Sequence, residues 1–135
     1  MRTSLLVLAL LSLAFAPAPF PRRDRARDDA KRIEGRWRQV MGPNVGMNVL
    51  IEHGRMIFSD WKMSSPGSRI SYDLTINPRE RPATFDLDYG TDGATFVAIY
   101  KVEGDTLIFC IRRAHLGRPT AFAGPDTEVY KRVKP

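Results

Sequence analysis

The residues able to do chemistry are few and scattered. The two histidines, His53 and His115, both fall in turn-like stretches. Neither has a partner at His-x-x-x-His spacing or a cysteine pair beside it, so no zinc site is read from them. Cys110 is the only cysteine, which rules out an internal disulfide. It lies inside an apolar run, where a thiol is expected to be buried and inert. Asp88, Gly90, Asp92 and Gly93 share part of the EF-hand spacing. That loop needs an oxygen ligand where Gly90 stands, and a glutamate six residues beyond Gly93, where the chain has Ile99. Ser64, Ser65 and Ser68 sit in a Pro/Gly loop and read as linker. There is no Gly-x-Ser-x-Gly, phosphate-binding glycine loop or dinucleotide fingerprint. The sequence therefore names no catalytic residue, no metal ligand and no cofactor.

The elements that carry these residues are legible. Ala94 to Val102 and Thr106 to Arg113 are β-branched and aromatic runs around the turn Glu103-Gly104-Asp105. By period two, Phe96, Ala98, Tyr100 and Val102 share one face, and Leu107, Phe109 and Ile111 share a face of the partner strand. Val97, Ile99, Ile108 and Cys110 on the opposite faces predict that this hairpin is covered on both sides. Gly35 to Met41 reads as a first strand, and Met47–Ile51 with Arg55–Ser59 as a hairpin across His53-Gly54. Ile70, Tyr72, Leu74 and Ile76 alternate with polar residues until Asn77-Pro78 ends the ladder. Phe85, Leu87 and Tyr89 alternate likewise, and Thr127 to Val133 closes the chain. Eight short strands without crossover helices predict an all-β antiparallel sandwich or barrel, with a closed barrel favoured because closure removes edges.

The 135 residues suit one domain, and the formal charge is +6. That excess is concentrated. Arg22, Arg23, Arg25, Arg27, Lys31 and Arg32 face only Asp24, Asp28 and Asp29, whereas the chain from Ile33 onward is nearly balanced. With no aromatic-and-basic motif in the body, nucleic acid is excluded as a partner. Residues 1–16 read as a secretory signal, with Arg2, the apolar run Leu5 to Phe15, and the small-x-small pattern Ala14-Phe15-Ala16. The run is about a dozen residues against the roughly 20 that span a bilayer, so no stable membrane span is expected. This predicts a secreted or periplasmic protein. Residues 17–32 follow as a Pro-rich spacer and a basic helical lead-in. The apolar face of that helix, Ala26, Ala30 and Ile33, is too thin to dock strongly. Residues 33–135 form the domain.

Gly35-Arg36-Trp37 resembles the Gly-x-Trp signature of lipocalin-type barrels. Ile99-Tyr100, Gly104-Asp105-Thr106-Leu107, Cys110, Arg118-Pro119-Thr120-x-Phe122 and Lys131-Arg132 together resemble a small lipocalin-like domain family of unknown function, abundant in planctomycete bacteria. Asn77-Pro78, Arg81-Pro82-Ala83 and Phe85-Asp86-Leu87 match its pattern too, so the resemblance spans about residues 33–133. It implies an eight-stranded up-and-down barrel in which Gly35, Trp37 and Arg132 are structural. Trp37 would plug one end and Arg132 would cover its ring.

Two functions are carried forward. The first is a non-enzymatic module that binds a small apolar or amphipathic ligand, with Phe58, Tyr72, Phe85, Phe96, Tyr100 and Phe109 as barrel-interior candidates. Against it stands the ability of eight strands to fill their own interior. The second is an envelope interaction or structural module whose partner is a protein met through its surface and basic arm. The oligomeric state is not legible.

Overall fold

The computed structural model describes residues 25–90 and 94–134. The signal-like stretch, most of the Pro-rich spacer and the turn residues 91–93 lie outside them. A short helix, α1 (Arg25–Ile33), precedes eight strands. These are β1 (Gly35–Met41), β2 (Asn48–Glu52), β3 (Arg55–Ser59), β4 (Arg69–Asn77), β5 (Ala83–Asp88), β6 (Ala94–Glu103), β7 (Thr106–Arg113) and β8 (Thr127–Arg132). A 3-10 turn, Ala114–Leu116, lies between β7 and β8. Every strand pairs antiparallel with its sequence neighbour, and β8 returns to β1 to close the barrel. The up-and-down barrel expected from the strand pattern is the fold.

Period-two alternation decides which side chains turn inward. Trp37, Val49, Met56, Leu87, Ala98, Leu107, Phe109 and Tyr130 are each at most 1 % exposed and form one core. Phe109 is stacked on Tyr130 with centroids 4.8 Å apart and meets Phe85 edge-on at 5.3 Å. The outer faces of β6 and β7 also carry buried apolar residues, Ile99 and Cys110, as the two-sided hairpin predicts. Their cover is a segment of the β7–β8 connection. Arg118 ties it down, donating from Nη1 to the carbonyls of Ala98 (2.9 Å) and Phe85 (3.3 Å) and from Nη2 to Asp86 (2.6 Å). Farther along, Lys101 Nζ lies 5.0 Å above the ring of Phe122.

The two ends of the barrel differ. At one end Trp37 and Arg132 face each other across the β1–β8 seam, with the guanidinium 4.2 Å from the indole centroid. Arg132 also donates to Glu34 O (2.8 Å), Arg32 O (2.7 Å) and Asp105 Oδ1 (3.2 Å), while the Trp37 indole N–H donates to Ile33 O (2.9 Å). These carbonyls belong to the C-terminus of α1 and the residue after it, where no intrahelical donor is available. Gly35 is required beside them. Its φ is +127°, and a Cβ there would stand 2.8 Å from Arg132 Nη1. Among the described residues of the thin apolar face of α1, Ile33 alone is buried in the core, and hydrogen bonds from Arg132 and Trp37 to its terminal carbonyls hold the helix end on the barrel. Trp37 and Arg132 thus close this end of the barrel, with the end of α1 as a second layer over them.

Two outcomes follow. Arg132→Lys removes the planar fork that serves three acceptors and the indole face at once. Urea unfolding should show a loss of about 2 kcal/mol, the scale of charge-assisted hydrogen bonds. Arg118→Ala should release the outer segment, so that Cys110, inert to an aromatic disulfide reagent in the native protein, reacts at least tenfold faster while the far-UV spectrum is unchanged.

Candidate functional site at the open end

At the other end lie the connections 42–47, 60–68 and 114–126 and the residues 89–90 that follow β5, and among the described residues no counterpart of the Trp37–Arg132 plug is found. A cavity of about 220 Å³ enters the barrel here, lined by Phe58, Trp61, Tyr72, Phe96, Ile111 and Glu128, among others. Tyr72 organises the aromatic wall, with its ring centroid 5.8 Å from Phe58, 5.7 Å from Phe96 and 5.7 Å from Tyr89. Adjoining clefts share Tyr72, Phe96 and Ile111 with the cavity and extend to Arg113 and Leu116. Four large apolar side chains, Val45, Met63, Tyr89 and Leu116, are exposed around this end. Asp60 and Met63, at the rim, hold left-handed φ values of 58° and 65° without being glycine. Such strain persists where the surroundings enforce it.

Beneath the aromatic wall lies a buried polar cluster of Gln39, Glu128 and Tyr130, none more than 7 % exposed. Its hydrogen-bond directions can be assigned from one fixed donor. The backbone N–H of Asn44 donates to Gln39 Oε1 at 2.6 Å, which turns the amide so that Nε2 faces the other two. Nε2 then donates to Glu128 Oε1 and to Tyr130 Oη (2.8 Å), and the Tyr130 hydroxyl donates to the same Glu128 oxygen (2.9 Å). Gln39 turns inward by the same alternation as Trp37 and stands opposite Tyr130 in the β1–β8 pairing, with a bulge between Gln39 and Met41 just beyond it. Gly42 roofs the cluster: at φ +136° it leaves room that a Cβ would take, 2.9 Å from Gln39 Oε1 and 3.1 Å from Glu128 Cγ.

The electrostatics follow from burial. Desolvation raises the Glu128 carboxyl above its ordinary value, opposed by the hydrogen bonds from Tyr130 and Gln39. Burial, reinforced by the Glu128 charge, also raises the Tyr130 phenol, so its hydroxyl remains a donor. Glu128 Oε1 takes both internal donors. Oε2 makes no hydrogen bond among the described residues and is not cut off from solvent, and Glu128 is one of the residues that line the cavity.

The six interior aromatics named from the sequence divide between two places. Phe58, Tyr72 and Phe96 line the open-end cavity. Phe85 and Phe109 are core, and Tyr100 sits toward the sealed end. There its hydroxyl has no hydrogen-bond partner, and burial raises its pKa. His53 occupies the β2–β3 turn at the sealed end and His115 the connection at the open end, so the fold keeps the histidines apart. Among the described residues, no three His, Cys, Asp or Glu side chains converge as a metal site would require, and no helix is long and apolar enough to cross a membrane. Sequence reasoning missed Gln39, Glu128 and Tyr130. The available signal was Glu128 at an inward position of β8, two residues from Tyr130. Gln39 carried the same signal, at an inward position of β1 two residues from Trp37; its pairing opposite Tyr130 follows only from closure of the barrel.

No protein-family model, curated protein or solved structure matches the chain. The eight-stranded antiparallel barrel itself is compatible with lipocalin-like binding.

The raised carboxyl gives a signed pH effect. The folded protein holds the Glu128 proton more tightly than the unfolded chain, so the contribution of this group is greatest below the unfolded value near 4.5. It is lost as pH rises through the raised folded value. Glu128→Gln removes that dependence. In urea unfolding across this window, the variant should gain stability relative to the native protein as pH rises toward neutrality.

Proposed function

We propose that this is an exported, non-enzymatic module that binds a small, largely apolar ligand in the open end of its barrel. The observation that carries the reading is the aromatic cavity with one buried carboxylate in its wall, since ligand sites are mostly apolar with a few placed polar groups. Its volume lies below the roughly 300 Å³ at which drug-sized pockets begin, which restricts the ligand to a compact ring or short chain. The clefts toward Arg113 offer room for a substituent outside the barrel. The strained rim and its four apolar side chains also suit a mouth that contacts a guest.

Export is supported by the signal pattern in residues 1–16. Membership of the small lipocalin-like family is part of the same proposal. It is supported by where its motifs fall: Gly35, Trp37 and Arg132 in the seal, and Arg118-Pro119 in the segment over β6. A non-enzymatic role is supported by the absence of a catalytic motif from the sequence.

The test uses the two tryptophans, one in each end of the barrel. Titration with toluene, indole and cyclohexane derivatives should quench or shift the emission of Trp61, which lines the cavity, and leave that of sealed Trp37 unchanged. Trp61→Phe should abolish the response, and Ile111→Trp should fill the cavity and weaken binding at least tenfold. A protein that shows no saturable response to any of these probes, by fluorescence or by NMR shifts at Tyr72 and Phe96, does not bind ligands in this way.

A further inference from the structure

Resting on that reading of the open end, the geometry points to a ligand class: we infer that the cavity takes a protonated amine on a compact apolar body, its ammonium seated on Glu128 Oε2. The argument starts from the direction of the hydrogen bonds. Asn44 N–H can only donate, so Gln39 offers its Nε2 hydrogens and not its oxygen to the cluster. Tyr130 Oη accepts one of them and passes its own proton to Glu128 Oε1. Both protein partners of Glu128 are therefore donors, and the arrangement is built for a carboxylate that accepts. One oxygen is satisfied internally. The other makes no hydrogen bond among the described residues and is not cut off from solvent, and Glu128 lines the cavity.

A buried charge of this kind needs a compensating partner, and neither internal donor carries a positive charge. Arg112 is engaged with Asp126 at 2.8 Å, and Arg113 is exposed at the outer cleft. The missing charge must then come with the guest. A carboxylate or phosphate ligand is excluded by repulsion. A neutral donor such as an alcohol satisfies the oxygen but leaves the charge. An ammonium does both, while its apolar body meets Phe58, Tyr72 and Phe96, whose ring faces favour a cation as well.

The experiment compares benzylamine, benzyl alcohol and toluene, which share a ring and differ in the group offered to Glu128. Calorimetry on the intact protein at neutral pH and low salt should show benzylamine binding about 10–100-fold more tightly than toluene, the range expected of a buried charge-assisted hydrogen bond. Benzyl alcohol should fall between them, and Glu128→Gln should reduce the amine preference to about threefold or less while toluene binding persists. Where the variant fails to fold, the native protein supplies the same information. Its preference for benzylamine over toluene should grow as pH rises and Glu128 ionises. The groups facing Glu128 are Gln39 and Asn44 from the β1 side, Tyr130 on its own strand, uncharged Phe109 and Ile111 on β7, and Asp126. Repeating the titration with Asp126→Asn isolates the Glu128 contribution. Equal binding of all three compounds, or a preference independent of both Glu128 and pH, overturns the amine assignment and leaves the cavity as a ligand site. No binding of any of them, at concentrations where the neutral hydrocarbon probes also fail, overturns both.

Discussion

Closing an eight-stranded sheet into a cylinder solves the problem of its edges and creates another, two open ends. One end is stopped by a single guanidinium. Arg132 lies across from Trp37 on the inner face of the β1–β8 seam, and its nitrogens reach the carbonyls of Arg32 and Glu34 and the carboxylate of Asp105. Four things are joined there: the first strand, the last strand, the β6–β7 turn and the end of α1. The cation–π term alone is worth about 0.5–2 kcal/mol. The larger effect is that carbonyls at the end of the helix, with no partner of their own, become acceptors for a partly exposed guanidinium. Without that exchange, Trp37 would be capped by solvent and Ile33 would have no reason to enter the core.

The plug also determines what the rest of the interior can be. With bulky side chains committed to one end, the middle fills with Phe85, Phe109, Leu87 and Tyr130, and free volume collects at the opposite mouth. The boundary between filled and open interior is the polar cluster of Gln39, Glu128 and Tyr130. A buried carboxylate there would be a poor way to stabilise a core, since an apolar residue of similar volume costs less to bury. Its persistence beside a cavity, with the proton positions set by a backbone donor, is the arrangement found where a pocket needs a defined polarity.

Much of this was legible before any coordinates. Period-two alternation located all eight strands, because each half-buried strand writes its inner face into every second residue. The doubly apolar hairpin of β6 and β7 announced that something must lie over Ile99 and Cys110, although nothing in the sequence said that a loop held by Arg118 would do it. The helix was misjudged for a physical reason. Its side chains were weighed and its terminal carbonyls were not, and the carbonyls do the docking. The cavity wall was half legible, since inward aromatics could be assigned to the interior but not to a height along the barrel. The cluster beneath it was legible only as separate inward polar residues. Gln39 and Glu128 are 89 residues apart, and they meet through the closing seam, which is a property of the assembled sheet.

The seal places the start of β1 and the end of β8 side by side, so chain enters and leaves the barrel at the same pole. Whatever is joined to either end, whether a neighbouring segment, a fused protein or a solid support, therefore attaches behind the floor of the barrel. Its mouth then faces away from the anchorage, and the open end remains free to sample the surrounding solution.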